Sequence, residues 1–418
     1  MPRAGCTKKQ HKESAHGLPL TRQQTPRTRM VNALVGLCRV VHVTPLSNVP
    51  NIPDTQRRQF LKTATIVGGA VVSAAPMAAV TPTPISFRWQ STWPVKDIFH
   101  EYALDFARKV NDMSGKRLRI DVLPAGAVVK PFDLIDAVSR GALDGGHGVT
   151  AYWYGKNSAI ALWGSGPAFG MDANTVLAWH EFGGGKALLA DIYKSLKLDV
   201  MSFLYGPMPT QPLGWFKKPI TKVEDFKGLK YRTVGLSIEL FSALGAAVNA
   251  LPSGEIVAAM DRGQLDAAEF NNTTSDKTLG FPDVSKVCML QSFHQCSVQF
   301  EILFNRTKFN TLSRDLQAII QNAVQAASAE MSWKAIDRYS QDYINLQKSG
   351  IKFYKTPDAI LQAQLDAWDE IARKKSAENP AFKKVLQSMQ TFAERACRWQ
   401  NETNVDYKMA FNKFSAGK

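Results

Sequence analysis

Cysteine is scarce in this chain: five residues in 418. Cys6 and Cys38 fall in a basic N-terminal stretch, and Cys288, Cys296 and Cys397 leave an odd number behind it. That excludes a disulfide framework, although Cys288 and Cys296 are close enough in sequence to pair or to remain free thiols. No CxxC, HExxH or GxSxG occurs, and His100, His147, His180 and His294 are too scattered to suggest zinc. Gly183-Gly184-Gly185-Lys186 lacks the upstream Gly and the following Ser/Thr of a phosphate loop and reads as a turn into a helix. No stretch of about 20 strongly apolar residues is present, which excludes an ordinary spanning helix. Runs of five like charges are also missing, so no element concentrates Lys and Arg as a nucleic-acid binder would.

What remains is ordinary for a globular protein: 45% hydrophobic, 10% aromatic and 21% charged residues. The net charge of +15 is uneven. Residues 1–79 hold eleven Lys/Arg against two acids, and the rest forty against thirty-four. The basic excess sits beside Arg57-Arg58-Gln-Phe-Leu-Lys62, an uncharged stretch from Thr63 to Val80, and small residues around Ser73–Ala79. These are the three regions of a cleavable export signal, and the paired arginines resemble a twin-arginine signal. Residues 1–79 are therefore expected to be removed, and the mature chain to be periplasmic.

Behind the leader, Ile85–Trp89 and Leu118–Val122 read as strands, with a helical stripe through Phe99, Ala103, Phe106 and Val110 between them. A second helix over Phe132–Ser139 and a strand over Leu143–Val149 complete a β-α-β-α-β pattern. The same phrase returns, its first block 128 residues on and its second 122. Leu123-Pro-Ala-Gly126 and Ala137-Val-Ser-Arg-Gly-Ala-Leu-Asp144 match Leu251-Pro-Ser-Gly254 and Ala259-Met-Asp-Arg-Gly-Gln-Leu-Asp266. Arg-Gly-x-Leu-Asp is a helix end, a Gly cap and a strand start. Two α/β lobes follow, with apolar crossings at Met201–Phe216 and Lys286–Asn305. The expected divisions are lobe I over 80–207, lobe II over 208–290, and a return strand with C-terminal helices across both lobes over 291–418. Helices are predicted from Leu312, over Ala359–Ala372 and over Phe382–Phe411, broken at Asn379-Pro380.

Several phrases match one family. They are Trp89-Gln-Ser-Thr-Trp-Pro94, Leu143-Asp-Gly-Gly-His-Gly-Val149 with Tyr152-Trp-Tyr-Gly-Lys156, and Trp179-His-Glu-Phe-Gly-Gly-Gly185. Gly206-Pro-Met-Pro-Thr-Gln211, Phe226-Lys-Gly-Leu-Lys-Tyr-Arg232, Gly263-Gln-Leu-Asp-Ala-Ala-Glu269 and Phe293-His-Gln295 continue the series. The pattern resembles the solute-binding receptors of TRAP (tripartite ATP-independent periplasmic) transporters over residues 85–415, nearest the branch that binds α-keto or α-hydroxy acids. The resemblance implies a two-lobed periplasmic-binding-protein-like α/β fold with hinge crossings and a helical C-terminal tail. It implies capture of a small organic anion for membrane subunits, without an enzymatic step. Arg232 would clamp the carboxylate, because a planar guanidinium donates two parallel hydrogen bonds. Gln211, Glu269 and Phe270 align with positions that hold substrate or a cation, and Gln295 stands where the branch carries a second carboxylate. No cofactor is obligatory, and a sodium or calcium ion on Gln211, Glu269, Phe270 and Gln295 is the optional companion. Trp93, Tyr152, Trp153 and Phe270 would wall the pocket, with Asn271 and His294 able to reach an α-oxygen. The rival readings are a cleft enzyme with a general base near Glu269, and a sensor for a membrane signalling protein. The helical tail permits a homodimer.

Overall fold

The computed structural model describes residues 83–415, so the proposed leader lies outside the described residues. In chain order, β1 (Ile85–Ser91), α1 (Ile98–Met113), β2 (Leu118–Leu123), α2 (Leu134–Ser139) and β3 (Gly145–Gly148) begin the fold. β4 (Val200–Pro207) leads across to β5 (Gly214–Phe216), β6 (Lys230–Arg232), α3 (Ser237–Ala243), β7 (Ala247–Asn249), α4 (Ser253–Asp261), β8 (Ala267–Ala268), α5 (Thr273–Leu279) and β9 (Val287–Leu290). β10 (Gln299–Asn305) returns, followed by α6 (Arg314–Lys348), β11 (Lys352–Lys355), α7 (Asp358–Glu378), α8 (Pro380–Thr403) and α9 (Tyr407–Ser415).

Two sheets result, ordered β2-β1-β3-β10-β4 and β7-β6-β8-β5-β9-β11. The parallel triplets β2-β1-β3 and β7-β6-β8 are the repeat seen in the sequence. Its chemistry is duplicated bond for bond. Gly141 and Gly263 cap their helices at φ 73° and 69°, a left-handed turn that favours glycine. Asp144 and Asp266 then start a strand by donating N–H to Arg88 O and Lys230 O, while their carboxylates accept the Arg88 and Lys230 N–H. In each lobe the next, antiparallel strand comes from the far side of a crossing: β10 beside β3, β5 beside β8.

The core explains the local sequence. Helix α1 is capped by Asp97, which accepts from Phe99 N, and buries Phe99, Tyr102, Phe106 and Val110 against the first sheet. Each such side chain contributes about 1.5–3 kcal/mol of burial. Gly145 has no room for a Cβ, which would meet the Trp89 ring at 2.3 Å and Leu303 O at 2.4 Å, so the strand order requires glycine there. The predicted strand over Leu143–Val149 shrinks to Gly145–Gly148, because Leu143 and Asp144 belong to the capped turn.

The lobes are closed on each other. Ser275 Oγ of α5 donates to Asp97 Oδ1 at 2.7 Å, and the Tyr154 hydroxyl donates to Glu239 of α3. Helix α6 lies across both lobes, joining Tyr102 through Tyr339 (3.1 Å) and Thr273 through the Tyr339 carbonyl (2.7 Å). The two crossings are also bonded together, Met208 N to Val298 O and Gln211 N to Gln295 O. All three described cysteines are free. Cys288 lies in β9, whereas Cys296 lies in the crossing and donates to Gly166 O, so they do not pair. No described helix is long and apolar enough to cross a membrane.

Candidate functional site

The repeat delivers strand ends to the space between the lobes. Arg232 ends β6 and Glu269 follows β8, so parallel neighbours place guanidinium and carboxylate side by side. Both are essentially fully buried, with Arg232 Nη1 2.8 Å from Glu269 Oε1 and 3.1 Å from Glu269 O. The other edge of the guanidinium is occupied, since Nε and Nη2 both donate to Leu251 O at 2.9 and 2.7 Å. One Nη2–H remains for an incoming acceptor.

Around this pair lies a cavity of about 30 Å³. Lobe II supplies Arg232, Val234, Glu269, Phe270 and Asn271, the crossings supply Met208, Gln211, Gln295 and Val298, and lobe I supplies Trp93, Phe99, Val149 and Tyr152. Polar anchors come mainly from one lobe and the hinge, and an apolar wall from the other. An anion bound to lobe II would be desolvated when lobe I closes, which strengthens its bond to Arg232.

Trp93 is oriented by a buried relay. Its Nε1–H donates to His147 Nδ1 at 2.7 Å, which leaves the imidazole proton on Nε2, 2.6 Å from the Tyr205 hydroxyl. Burial pushes His147 down to about 3, so the ring stays neutral across the working pH range. The Tyr152 hydroxyl is buried without a hydrogen-bond partner. Burial raises it to about 12, partly offset by the nearby Arg232 charge. It is a free donor facing the site.

The structure thus brings Trp93, Tyr152, Gln211, Arg232, Glu269, Phe270, Asn271 and Gln295 together on one cavity. It does not bring His294 there. That ring sits behind Glu269, its Nε2 3.9 Å from Oε2, with Nδ1 on Ser292 Oγ and a T-shaped contact to the Phe241 ring. Trp153 also leaves the wall, donating instead to buried Glu301 within lobe I at 2.7 Å. Phe99, Val149, Met208, Val234 and Val298 line the cavity with no sequence signal beyond hydrophobicity. Asp97 and Asp276 were also missed. Asp276 accepts from Trp215 Nε1, Asn271 N and Asn272 N, and so fixes the backbone at Asn271.

A cation has few charged partners here. No described group of three or more His, Cys, Asp or Glu side chains could hold a metal. The inward end of the Gln211 amide lies 2.9 Å from Glu269 Oε2, 2.8 Å from Gln295 Oε1 and 2.5 Å from Phe270 O. With its nitrogen inward, the amide has two N–H donors for these three acceptors, and its oxygen would accept from Asn271 Nδ2 at 2.8 Å. With its oxygen inward instead, Gln211 joins Glu269 Oε2, Gln295 Oε1 and Phe270 O in one cluster of oxygens, a donor set that fits a hard cation such as sodium or calcium.

Two duplicated α/β lobes closed on a buried Arg232–Glu269 pair have the architecture of a solute-binding protein of the periplasmic type. The family model for bacterial extracellular solute-binding proteins, family 7, matches residues 90–379. A protein of Nostoc sp., named as a monocarboxylate 2-oxoacid-binding periplasmic protein, is 31% identical over 359 residues, covering 84% of this chain and 98% of its own length. Two solved TRAP periplasmic solute-binding proteins share the fold. One from Colwellia psychrerythraea, with bound calcium and pyruvate, has TM-score 0.72 and 29% identity, covering 77% of this chain and 97% of the other. One from Pseudoalteromonas atlantica, with bound sodium and pyruvate, has TM-score 0.73 and 28% identity over 79% and 99%. This chain belongs to the family 7 extracellular solute-binding proteins, the solute receptors of TRAP transporters.

Proposed function

We propose that this receptor captures a small 2-oxo or 2-hydroxy monocarboxylate and delivers it to TRAP membrane subunits without making or breaking a bond. The observation that carries the reading is buried Arg232, with one free N–H, at a small cavity whose opposite wall is apolar. The carboxylate takes the guanidinium end now held by Glu269 Oε1. Tyr152 donates to a carboxylate oxygen, Gln211, Gln295 and Asn271 address the α-oxygen, and Trp93, Phe99 and Phe270 enclose the short carbon chain. The 2-oxo acid name of the Nostoc relative and the pyruvate in two solved relatives support this class. The functional divisions are lobe I over 80–207, lobe II over 208–290 and a clasp over 291–418, with the leader placing the mature chain in the periplasm.

Calorimetric titration of the mature chain with pyruvate, 2-hydroxy acids, dicarboxylates and uronates tests the reading. Pyruvate or a close homologue should bind near micromolar, roughly −8 kcal/mol. Dicarboxylates should not, because a second charge has no partner in the apolar wall. Tyr152→Phe should weaken binding about tenfold while leaving the ligand-free melting temperature unchanged or higher, since it removes an unpartnered buried hydroxyl. Binding of a sugar acid but of no short carboxylate would overturn the class, and conversion of pyruvate would favour the enzyme.

A second copy of the chain completes the proposed partners. Tyr407, Met409, Phe411 and Phe414 of α9 are all more than two-thirds exposed, and none of this helix is buried in the single chain. Tyr407, Phe411 and Phe414 recur at i, i+4 and i+7 on one side of this short helix, and an exposed apolar face of that kind calls for a cover. Light scattering should give a dimer for the mature chain and a monomer after truncation at residue 404. Equal masses for both would remove α9 from the interface.

A further inference from the structure

We infer that Tyr152 and Val234 form a partition between the ligand cavity and a larger vestibule at the seam of the lobes, and that Val234 thereby limits the carbon chain on which this receptor closes. The inference rests on the carboxylate-binding reading above and adds a size limit to it.

Beside the ligand cavity of about 30 Å³ lies a second one of about 400 Å³. Among the described residues, Tyr152 and Val234 alone line both. Tyr152 belongs to lobe I, in the helical turn Thr150–Trp153, and Val234 to lobe II, two residues past the end of β6. Each lobe therefore carries half of the partition, which exists only in the closed form. Both halves are held in place. The Tyr152 ring packs against Phe132 of the vestibule, edge-on with centroids 4.8 Å apart, and against Trp93 of the cavity at 5.6 Å. Val234 is followed by Gly235 at φ 66°, where a Cβ would meet Ser165 Oγ at 2.6 Å and Ala151 Cβ at 3.2 Å. Lobe II backbone thus seats directly on lobe I at the next residue, and closure brings Val234 to one position.

A tail too long for the small cavity meets this wall and holds the lobes apart, so long acids are rejected at closure rather than at first contact with Arg232. Another space borders the cavity across Asn271. That side is closed by polar bonds, since Asn271 N donates to Asp276, its Nδ2 to Met208 Sδ, and its Oδ1 accepts from Asn272. Opening it would strand buried donors and acceptors. The Val234 side is closed by two methyl groups, and trimming them strands nothing. The vestibule also states which tail it would take. Phe132, Ile238 and Ala250 give it apolar surface. Its one lysine, Lys156, donates to both Asp136 oxygens at 2.7 and 2.6 Å, and Asp133 adds a further negative charge. No cation is left for a second carboxylate, so the tail is an uncharged aliphatic or aromatic group.

The test titrates the mature chain calorimetrically with pyruvate, phenylpyruvate and 2-oxoglutarate, in one buffer holding both sodium and calcium. Wild type should prefer pyruvate to phenylpyruvate by about a hundredfold or more. Val234→Ala should move the ratio of these two dissociation constants at least about tenfold toward phenylpyruvate, and should give 2-oxoglutarate no such gain. Val298→Ala removes the same two methyl groups from the hinge side of the same cavity, and its ratio should stay within about threefold of wild type. Equal affinity of wild type for pyruvate and phenylpyruvate overturns the proposal. So does an unmoved ratio in Val234→Ala, or an equal shift in Val298→Ala. If no monocarboxylate binds wild type, the carboxylate reading falls. A ligand-free crystal structure of Val234→Ala then still decides the partition: the cavity should run into the vestibule past Tyr152, and a wall closed there by other side chains overturns it.

Discussion

Arg232→Lys is expected to weaken carboxylate binding at least about a hundredfold, close to 3 kcal/mol. Four of the five guanidinium N–H donors are committed in the ligand-free fold. Nε and one Nη2–H hold Leu251 O, and Nη1 holds both Glu269 O and Glu269 Oε1. A ligand carboxylate can take Nη1 and the free Nη2–H as a parallel pair by displacing Glu269 Oε1, leaving the Leu251 bonds intact. A lysine ammonium cannot hold Leu251, Glu269 and a ligand together, because its donors radiate from one point. Arg232→Ala goes further. It strands a buried carboxylate, which costs about 3–5 kcal/mol of stability as well as the binding. At roughly 2–4 °C per kcal/mol for a chain of this size, melting should fall by about 10 °C. The pair Arg232→Met with Glu269→Gln separates the two losses. It removes both charges together, so melting should recover while binding does not. Retained affinity in Arg232→Lys would take the clamp away from this residue.

Much of this site was legible because it sits on a repeat. Arg-Gly-x-Leu-Asp occurs twice since the turn needs a left-handed glycine and the strand start needs an acceptor for its first N–H. Both requirements are local, so they survive in the sequence. The repeat brings a strand end to the cleft at Ala268-Glu269-Phe270, whereas the roles of Glu269 and Arg232 follow only from the family resemblance. What could not be read depends on contacts between distant segments. Gln295 reaches the cavity from an isolated bridge to Gly166, while His294, one residue earlier, lies in the preceding turn and sits behind Glu269. Tyr152 and Trp153 divide in the same way across a tight helical turn, one to the cavity and one to Glu301.

Asp97→Asn is expected to stabilise the protein above about pH 6 and to flatten the pH dependence of ligand binding. Asp97 caps α1 in lobe I and receives Ser275 Oγ from lobe II, both through Oδ1, while Oδ2 is buried without a partner. Burial raises this carboxyl from 3.8 to about 6, against the opposing effects of Ser275, Phe99 N and Lys96. A raised acid pKa means that the folded chain holds the proton more tightly than the unfolded chain. Stability from this group is therefore full below pH 4 and declines as pH rises from about 4 to 6; above that, the folded state carries the ionised, half-satisfied carboxylate. Two pH units correspond to about 3 kcal/mol as an upper figure. Asparagine removes the charge and keeps the Oδ1 acceptor, so the difference between variant and wild type should favour the variant at pH 7.5 and vanish near pH 4. Asp276 is pushed to about 7 by burial, but its partners are Trp215, Asn271 and Asn272 of lobe II alone, so lobe opening leaves its bonds in place. Of these two raised carboxyls, Asp97 is the one with a bond between the lobes that opening breaks. Water reaching Oδ2 in the open form returns the carboxyl toward its ordinary value, so protonation favours closure. Wild-type affinity for pyruvate should thus tighten several-fold between pH 7.5 and 5.5, and Asp97→Asn should lose that slope. An equal slope in both proteins would move the pH response to some other group and leave the Asp97–Ser275 contact a passive part of the closed interface.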